Sequence, residues 1–195
     1  MTLVSPLQNI HTNGTFGNFE NKKESELLRI SEVKNLLIVQ IAQYKKSLIE
    51  LKDIKIDNLQ FNNNAQSVVS NENTRVLWSS PNNWLIVSEQ KELLNKIYHI
   101  FNENDFAVTN LSHSKAIIEI EGPKVKEVLK KGCPFNFNIL NKNMCINSSY
   151  NGISFIIDMI GNEPEKARLF SLRSFGESLY HSITDASLEY GYKCI

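Results

Sequence analysis

One order of predicted elements occurs twice in the chain: strand, helix, hairpin, helix. It runs over residues 36–103 and again over residues 116–190. This order is typical of the split βαβ unit of ferredoxin-like folds. The sequence therefore predicts an α+β fold of two packed split βαβ lobes. We expect the first lobe at residues 28–112 and the second at residues 113–195, forming a single compact unit.

The first repeat begins with an apolar, β-branched run at residues 36–42, which predicts a buried strand. A short helix is predicted at residues 44–51. Residues 75–78 and 84–87 predict a hairpin, because Pro and Asn in the segment between them favour a turn. Ser88 is a candidate N-cap for the next helix. The apolar stripe of that helix consists of Leu93, Leu94, Ile97, Ile100 and Phe101.

The second repeat contains stronger local signals. Pro123 is expected at the first position of a helix, where its missing N–H is harmless. Residues 144–150 and 153–160 predict a hairpin, since the Asn151-Gly152 pair between them is typical of a type I′ turn. Residues 167–172 predict a further strand. Ser174 and Glu177 have the spacing of a capping box, so we predict that Ser174 caps the last helix.

Residues 1–27 are polar, with isolated hydrophobic side chains such as Leu3, Leu7 and Phe16. A segment of this composition buries too little apolar surface to fold alone. The sequence predicts a flexible N-terminal arm here. Two interpretations remain open: a frayed tail, or an arm that becomes ordered on a partner.

The composition excludes several classes of function. Lys+Arg 21 balance Asp+Glu 21, and the net charge of +0 argues against a nucleic-acid partner. The longest apolar run is too short to span a membrane, and the first residues lack the pattern of a secretory signal. Three cysteines, an odd and widely spaced set, argue against a disulfide framework. The cytoplasm is therefore the expected location.

Metal and nucleotide sites are not indicated. The sequence contains neither a dinucleotide-binding glycine fingerprint nor a P-loop. No His–His, His–Cys or Cys–Cys pair has the spacing of metal ligands. The residues considered as ligands are His11, His99, His113, His181, Cys133, Cys145 and Cys194.

Catalytic and stacking candidates each have a structural interpretation as well. Cys133 follows a predicted helix end, where nearby lysines favour a thiolate, but a buried free cysteine usually acts as a small hydrophobic residue. Ser112 and His113 are neighbours that point to opposite faces of an extended chain, which favours a strand-end turn. Trp78 and Trp84 are either a flavin or folate platform or an aromatic pair that stabilises a sheet.

The acidic residues give no site either. Glu119 and Glu121 lie on one face of a predicted strand, and Glu163 and Glu165 flank Pro164 in a predicted loop. A solvated surface is the usual explanation for such groups. We therefore predict no catalytic, cofactor-binding or metal-binding residue in this chain.

Four stretches of the chain resemble one family. Residues 110–123 are similar to its Leu-Ser-His turn, apolar strand and Gly-Pro helix start. Residues 128–136 are similar to its Leu-x-Lys-Gly-Cys-Pro run, residues 173–180 to its Arg-Ser-Phe helix start, and residues 83–87 to its Trp-Leu strand. The chain departs from the family pattern at Asn110, Asn136, Leu172 and Tyr180.

The family is the gamma subunit of heterotetrameric sarcosine oxidase. The resemblance implies a fold like the folate-binding aminomethyltransferase domain. It implies alpha, beta and delta partner subunits in a complex that oxidatively demethylates sarcosine to glycine and passes the one-carbon unit to tetrahydrofolate. FAD, FMN, NAD, tetrahydrofolate and zinc are expected on the partners, and none on this chain.

Two alternatives remain open at the level of sequence. One is a stand-alone folate-binding protein of the same fold. The other is the equivalent subunit of an N-methylglutamate dehydrogenase-type complex. The sequence does not distinguish the N-methylated amino acid or an oxidase from a dehydrogenase, because that pocket is expected on another subunit.

Overall fold

The computed structural model describes residues 4–195, and its fold is α+β, as predicted. Within this range the α-helices are α1 (Leu93–Ile100), α2 (Val125–Lys130) and α3 (Gly176–Ser187). The strands of the same range are β1 (Gly14–Phe16), β2 (Leu28–Glu32), β3 (Leu37–Gln43), β4 (Lys55–Ile56), β5 (Leu59–Gln60), β6 (Val68–Ser70), β7 (Thr74–Ser80), β8 (Asn83–Ser88), β9 (Phe106–Asn110), β10 (Lys115–Gly122), β11 (Cys145–Tyr150), β12 (Ile153–Asn162), β13 (Glu165–Leu172) and β14 (Tyr192–Cys194).

The chain forms two compact units. One unit consists of the continuous stretch Asn35–His113 and the three residues Asn143–Cys145, and we call it the contiguous unit. The discontinuous unit contains the described residues up to Lys34, together with Ser114–Lys142 and Ile146–Ile195. This division differs from the predicted lobes at Leu28–Lys34 and at Asn143–Cys145, the latter lying in the contiguous unit and not with the rest of residues 113–195. Leu28–Lys34 was assigned to the first lobe, but β2 pairs with β10 and β14 and so belongs to the discontinuous unit.

The contiguous unit is built on a five-stranded antiparallel sheet with the order β6-β7-β8-β3-β9. Leaving out β6, this is the order of a split βαβ unit, in which the first strand lies between the last strand and the third. Alternate residues of β3, namely Leu37, Val39 and Ile41, are buried in the core of this unit. Leu93, Ile97 and Phe101 pack into the same core and Leu94 packs against it, which confirms most of the predicted 3.6-residue stripe. The exception is Ile100, which is exposed.

The helix predicted at residues 44–51 is wrong. The chain there makes a turn, in which the Ser47 amide donates to the Tyr44 carbonyl over 3.0 Å, and only Leu51–Asp53 forms a 3-10 turn. Side chains bind the backbone groups that a helix would need. The side-chain amide of Gln43 donates to the Ile49 carbonyl over 2.7 Å. The Ser47 hydroxyl accepts from the backbone amide of Ile49 over 3.3 Å.

The discontinuous unit is built on a seven-stranded sheet with the order β1-β14-β2-β10-β13-β12-β11. Without β1, β2 and β11, the remaining order is again that of a split βαβ unit. Helices α2 and α3 pack against β10 and β13. Ala116, Ile118 and Ile120 alternate along β10 and are fully buried, which explains why this run forms a central strand.

The N-terminal arm packs on the discontinuous unit over its described part. Strand β1 pairs antiparallel with β14, and the side chain of Leu7 is fully buried. The Glu32 carboxylate accepts hydrogen bonds from the Ser5 hydroxyl and from the Leu7 amide, the latter over 3.3 Å. The structure thus packs residues 4–27 on this unit, where the sequence predicted a flexible arm at residues 1–27. Residues 1–3, which include the hydrophobic Leu3 of the predicted arm, lie outside the described part.

Turn chemistry correctly predicted the connection between β11 and β12. Asn151 and Gly152 join β11 and β12 with φ angles of 47° and 85°. Two positive φ angles in succession are the signature of the type I′ turn, which matches the twist of the two strands. Asn tolerates this left-handed conformation because its short polar side chain can bond locally, and Gly has no Cβ to clash.

Two predicted N-caps are wrong. A 3-10 turn at Arg173–Phe175 precedes α3, and Phe175 occupies its N-cap position without a side-chain cap. Ser174 therefore lies inside the turn and not at the helix boundary. Glu92 occupies the N-cap position of α1. The Ser88 hydroxyl instead bonds Thr74 across the hairpin over 2.8 Å and accepts from the Gln90 amide over 3.1 Å.

Across residues 4–195, none of the helices has both the length and the apolar character needed to cross a membrane.

Candidate functional site

The Lys-Gly-Cys-Pro run forms the turn that ends α2. The amides of Gly132 and Cys133 both donate to the Leu129 carbonyl, over 3.4 and 3.1 Å. The Tyr150 hydroxyl donates to the Val128 carbonyl over 2.9 Å, and the Asn151 amide donates to the Gly132 carbonyl over 2.9 Å. The carbonyls that a helix end leaves free are thus satisfied by the turn and by the adjacent hairpin.

Cys133 lies in this turn as a buried thiol. Its Sγ donates to the Ser148 hydroxyl over 3.2 Å, and burial raises the pKa of the thiol above its usual value. A raised pKa leaves less of the nucleophilic thiolate near neutral pH. Lys130 and Lys131 bond elsewhere, to Glu127 and Glu189, each over 2.7 Å. The structure therefore supports the interpretation of Cys133 as a buried packing residue.

Ser112 and His113 form a strand-end turn, as predicted. The Ser112 hydroxyl accepts from the Ile38 amide over 3.0 Å and donates to the Asn110 side-chain oxygen over 2.7 Å. That oxygen also accepts from the Ser112 amide over 3.0 Å. The hydroxyl is thus part of the connection between β9 and β3, while His113 is exposed.

The two tryptophans are direct cross-strand neighbours in β7 and β8. Trp84 is fully buried, packs edge to face against Phe61 and donates its ring N–H to the Asn62 carbonyl over 2.7 Å. Trp78 donates its ring N–H to the Asn63 side chain over 3.1 Å. Since no face of Trp84 is open, this pair does not fit a flavin or folate ring as a stacking platform. The sheet-stabilising interpretation fits it.

Glu119 and Glu121 belong to an array of charges on neighbouring strands, and their prediction as a solvated pair is wrong. Glu119 binds Arg168 over 2.8 Å and Lys166 over 2.7 Å, and Lys166 reaches Glu121 over 3.0 Å. Only 15% of the Glu119 side chain is exposed. Burial opposes its charged form, but the hydrogen bonds and charges of Lys166 and Arg168 hold the pKa of Glu119 below its usual value. The fully buried Asp158 lies opposite Arg168 on β12.

Glu165 also has a structural role that the sequence prediction missed. It is the first residue of β13 and does not lie in the predicted loop. Its carboxylate accepts from the Lys126 amide over 3.0 Å, at the first turn of α2. A carboxylate at this position satisfies an unpaired amide and interacts favourably with the helix dipole.

The histidines and cysteines are dispersed. No group of three or more His, Cys, Asp or Glu side chains could hold a metal ion within residues 4–195. His11 contacts the Ile195 carbonyl through Nε2 over 3.1 Å and packs edge to face on Tyr180. The Tyr180 hydroxyl is 3.0 Å from the Cys194 thiol. Cys145 donates its thiol to the Trp78 carbonyl over 3.0 Å.

Two open grooves lie on the discontinuous unit. The first, of about 500 Å³, runs beside α3 and is lined by His181, Asp185 and Tyr192 among others. The second, of about 640 Å³, lies between the N-terminal segment and the start of α3. Leu172 and Arg173 line the second groove, where exposed apolar and basic side chains meet. Sequence reasoning missed this combination, because it arises from segments that are far apart in the chain.

Comparisons with known proteins agree with one another. Residues 57–189 match the model of the sarcosine oxidase, gamma subunit family (SoxG). Sarcosine oxidase subunit gamma from Corynebacterium sp. strain U-96 is 28% identical over 120 residues, which are 60% of this chain and 58% of that protein. The same subunit from strain P-1 is 27% identical over 122 residues, which are 61% of this chain and 59% of that protein. The matched region thus spans somewhat more than half of these relatives.

Solved structures show the same likeness in fold. A chain of the heterotetrameric sarcosine oxidase from Corynebacterium sp. U-96 has a TM-score of 0.82 at 22% identity, covering 96% of this chain and 95% of that chain. The glycine cleavage system aminomethyltransferase T from Bartonella henselae has a TM-score of 0.61 at 11% identity, covering 100% of this chain and 60% of that chain. The family model spans well over half of the chain, and we conclude that the chain belongs to the sarcosine oxidase, gamma subunit family.

Proposed function

We propose that this chain is a non-catalytic gamma subunit of a heterotetrameric sarcosine oxidase. The observation that carries the proposal is the family match over residues 57–189. The contacts of the candidate nucleophiles support the non-catalytic part. The Cys133 thiol is buried with a raised pKa, and the Ser112 hydroxyl is engaged by backbone and side-chain groups. The chain then contributes surface and stability to the assembly, and the chemistry belongs to other subunits.

The partners in this proposal are the alpha, beta and delta subunits of the complex, in the cytoplasm. Together they oxidise sarcosine to glycine and transfer the one-carbon unit to tetrahydrofolate. FAD, FMN, NAD, tetrahydrofolate and zinc belong to the partner subunits. The tryptophan pair, the one aromatic platform that the sequence suggested in this chain, does not fit a ring cofactor because Trp84 is buried. The proposal therefore assigns no chemical step of sarcosine oxidation or one-carbon transfer to residues of this chain.

Co-expression tests the proposal. The full chain with an affinity tag is produced together with the alpha, beta and delta subunits encoded in the same genome. We expect a complex with one copy of each subunit, and sarcosine-dependent hydrogen peroxide release that falls when this chain is omitted. A chain that elutes alone as a monomer, with unchanged activity in its absence, contradicts the proposal. Replacing sarcosine with N-methylglutamate and an artificial electron acceptor tests the related dehydrogenase-type complex.

A stand-alone folate-binding protein is the second candidate. The fold likeness to the Bartonella henselae aminomethyltransferase favours it, although fold alone is weak support for function. Isothermal titration of the purified chain with tetrahydrofolate distinguishes the two proposals. Saturable heat at micromolar to millimolar ligand supports folate binding by this chain. A titration without saturable heat leaves the subunit as the better account.

A further inference from the structure

One end of the seven-stranded sheet combines exposed apolar side chains with basic ones. Lys115, the first residue of β10, lies directly opposite Leu172, the last residue of β13. Directly opposed residues of an antiparallel pair project to the same face. The Arg173 amide donates to the Ser114 carbonyl over 2.8 Å, and the Arg173 guanidinium donates to the Val4 carbonyl. We call Val4, Lys115, Leu172 and Arg173 the sheet-end patch.

The apolar part of the patch is unusually open for hydrophobic side chains. The exposed fractions are 60% for Val4 and 48% for Leu172. Both residues line the groove of about 640 Å³ described above. Phe175, two residues beyond Arg173, is exposed by 48% as well. Single exposed hydrophobic residues are common on protein surfaces, whereas a group of them around a groove is typical of an interaction site.

The basic part of the patch lacks a carboxylate partner in the described part of the chain. Lys115 is half-buried, and burial lowers the pKa of its ammonium group. Among residues 4–195, neither Lys115 nor Arg173 forms an ion pair with a carboxylate. Glu177 lines the same groove but does not pair with Arg173 in the described part of the chain. Charges withdrawn from water are normally paired, so this surface favours an incoming anion.

We propose that the sheet-end patch docks an acidic, apolar segment of a partner subunit in the complex. A carboxylate of that segment pairs with Lys115 and Arg173, and an adjacent aliphatic side chain packs on Val4 and Leu172. This inference rests on the proposed function, since it identifies the surface that the subunit uses. Charge complementarity selects an acidic partner, and the exposed apolar side chains select a protein segment over a simple anion.

Binding measurements on the full chain test the patch. The probe is the purified assembly of the remaining sarcosine oxidase subunits, and the readout is the Kd by biolayer interferometry. Lys115→Met keeps the aliphatic stem and removes the charge, and Leu172→Ser removes the apolar contact. We expect each variant to weaken binding at least about tenfold, the size of effect that marks a hot-spot residue of an interface. Glu177→Gln is expected to strengthen binding, because it removes a negative charge from the groove.

Matched controls separate the patch from general surface effects. Lys45→Met removes another exposed lysine, and Ile139→Ser removes an apolar side chain that is 51% exposed. Both are expected to bind like the wild type, and thermal unfolding confirms that each variant is folded. The wild type is also expected to lose more affinity than Lys115→Met as NaCl rises, because an ion pair is screened by salt.

The outcomes distinguish the two proposals. A wild-type chain that does not bind overturns the proposed function, and the docking patch with it. A wild-type chain that binds, together with folded Lys115→Met and Leu172→Ser variants of unchanged Kd, overturns the patch alone. Equal weakening by the control variants also overturns it.

Discussion

The ring of Tyr150 occupies the space that a side chain at position 132 would need. A Cβ at Gly132 would lie 2.6 Å from Cε1 of that ring. The Tyr150 hydroxyl is held in place by its bond to the Val128 carbonyl over 2.9 Å. Burial raises the pKa of this phenol to about 12, so the hydroxyl remains a neutral donor at ordinary pH. The glycine of the Lys-Gly-Cys-Pro run is thus required by packing.

Gly132→Ala is expected to destabilise the protein. The new methyl group overlaps a buried ring, and overpacking of this kind costs about 1–3 kcal/mol. Thermal and urea unfolding measure the loss. Tyr150→Phe keeps the ring and removes only its hydrogen bond, so it is expected to cost about 1 kcal/mol. A Gly132→Ala variant as stable as the wild type contradicts the packing argument.

Glu32→Gln is expected to loosen the N-terminal segment. The Glu32 side chain is only 2% exposed, and it binds Ser5, the Leu7 amide and Lys34. The neutral amide is a weaker acceptor and loses the ion pair, which together cost about 1–3 kcal/mol. Hydrogen exchange is expected to accelerate in residues 5–11 first. The matched control is Lys34→Met, which removes the exposed partner alone. Uniform acceleration across the whole unit argues against a local role.

Stability is expected to fall in acid through Glu119. Its pKa in the folded protein is lowered, so its contribution is present above the ordinary value of 4.5 and is lost as pH falls through the folded value. Glu119→Gln removes hydrogen bonds to charged groups, which costs about 1.5–3 kcal/mol near neutral pH. The variant's stability is expected to depend less on pH below 4.5. Glu127→Gln, which breaks an exposed pair with Lys130, serves as the control with a smaller effect. Parallel curves for wild type and Glu119→Gln contradict the assignment.

The cysteines are expected to react with thiol reagents only after unfolding. Cys133, Cys145 and Cys194 are free and buried, and burial raises the pKa of Cys133 and Cys194. A chromogenic disulfide reagent at pH 8 is expected to titrate three thiols per chain in urea and to react slowly with the native protein. If Cys133 reacts fast in the native protein, its thiol is accessible, and the interpretation of Cys133 as a packing residue is contradicted. Cys133→Ser is expected to leave assembly of the complex unchanged.

Features fixed by neighbouring residues were predictable from the sequence. The Asn151-Gly152 turn depends on two φ angles that Asn and Gly adopt readily, and the α1 stripe depends on helical spacing alone. The prediction of a helix at residues 44–51 was wrong because the side chains of Gln43 and Ser47 bind backbone groups there. Helix propensity does not contain such contacts. Ser174 failed as a cap because a 3-10 turn precedes α3.

In the candidate site, the contacts that could not be predicted are those between segments that are distant in the sequence. The local contacts of Ser112 with Asn110 and of the Cys133 amide with Leu129 fit the strand end and helix end that the sequence predicted. The opposition of Lys115 and Leu172 depends on the register of β10 and β13, with α2 and the β11–β12 hairpin between them in the chain. The place of β2 between β10 and β14 is likewise a tertiary choice, since pattern reasoning identifies strands but not their neighbours.

The position of β14 between β1 and β2 has a consequence for biosynthesis. During translation β1 and β2 leave the ribosome early. The edges that pair with β14 stay unpaired until Tyr192–Cys194 has been synthesised. The contiguous unit draws almost all of its residues from Asn35–His113, so we expect it to fold first during translation. The discontinuous unit closes late, because its pairings join segments that are distant in sequence. Its unpaired strand edges are therefore the part of the nascent chain that we expect to be most prone to aggregation.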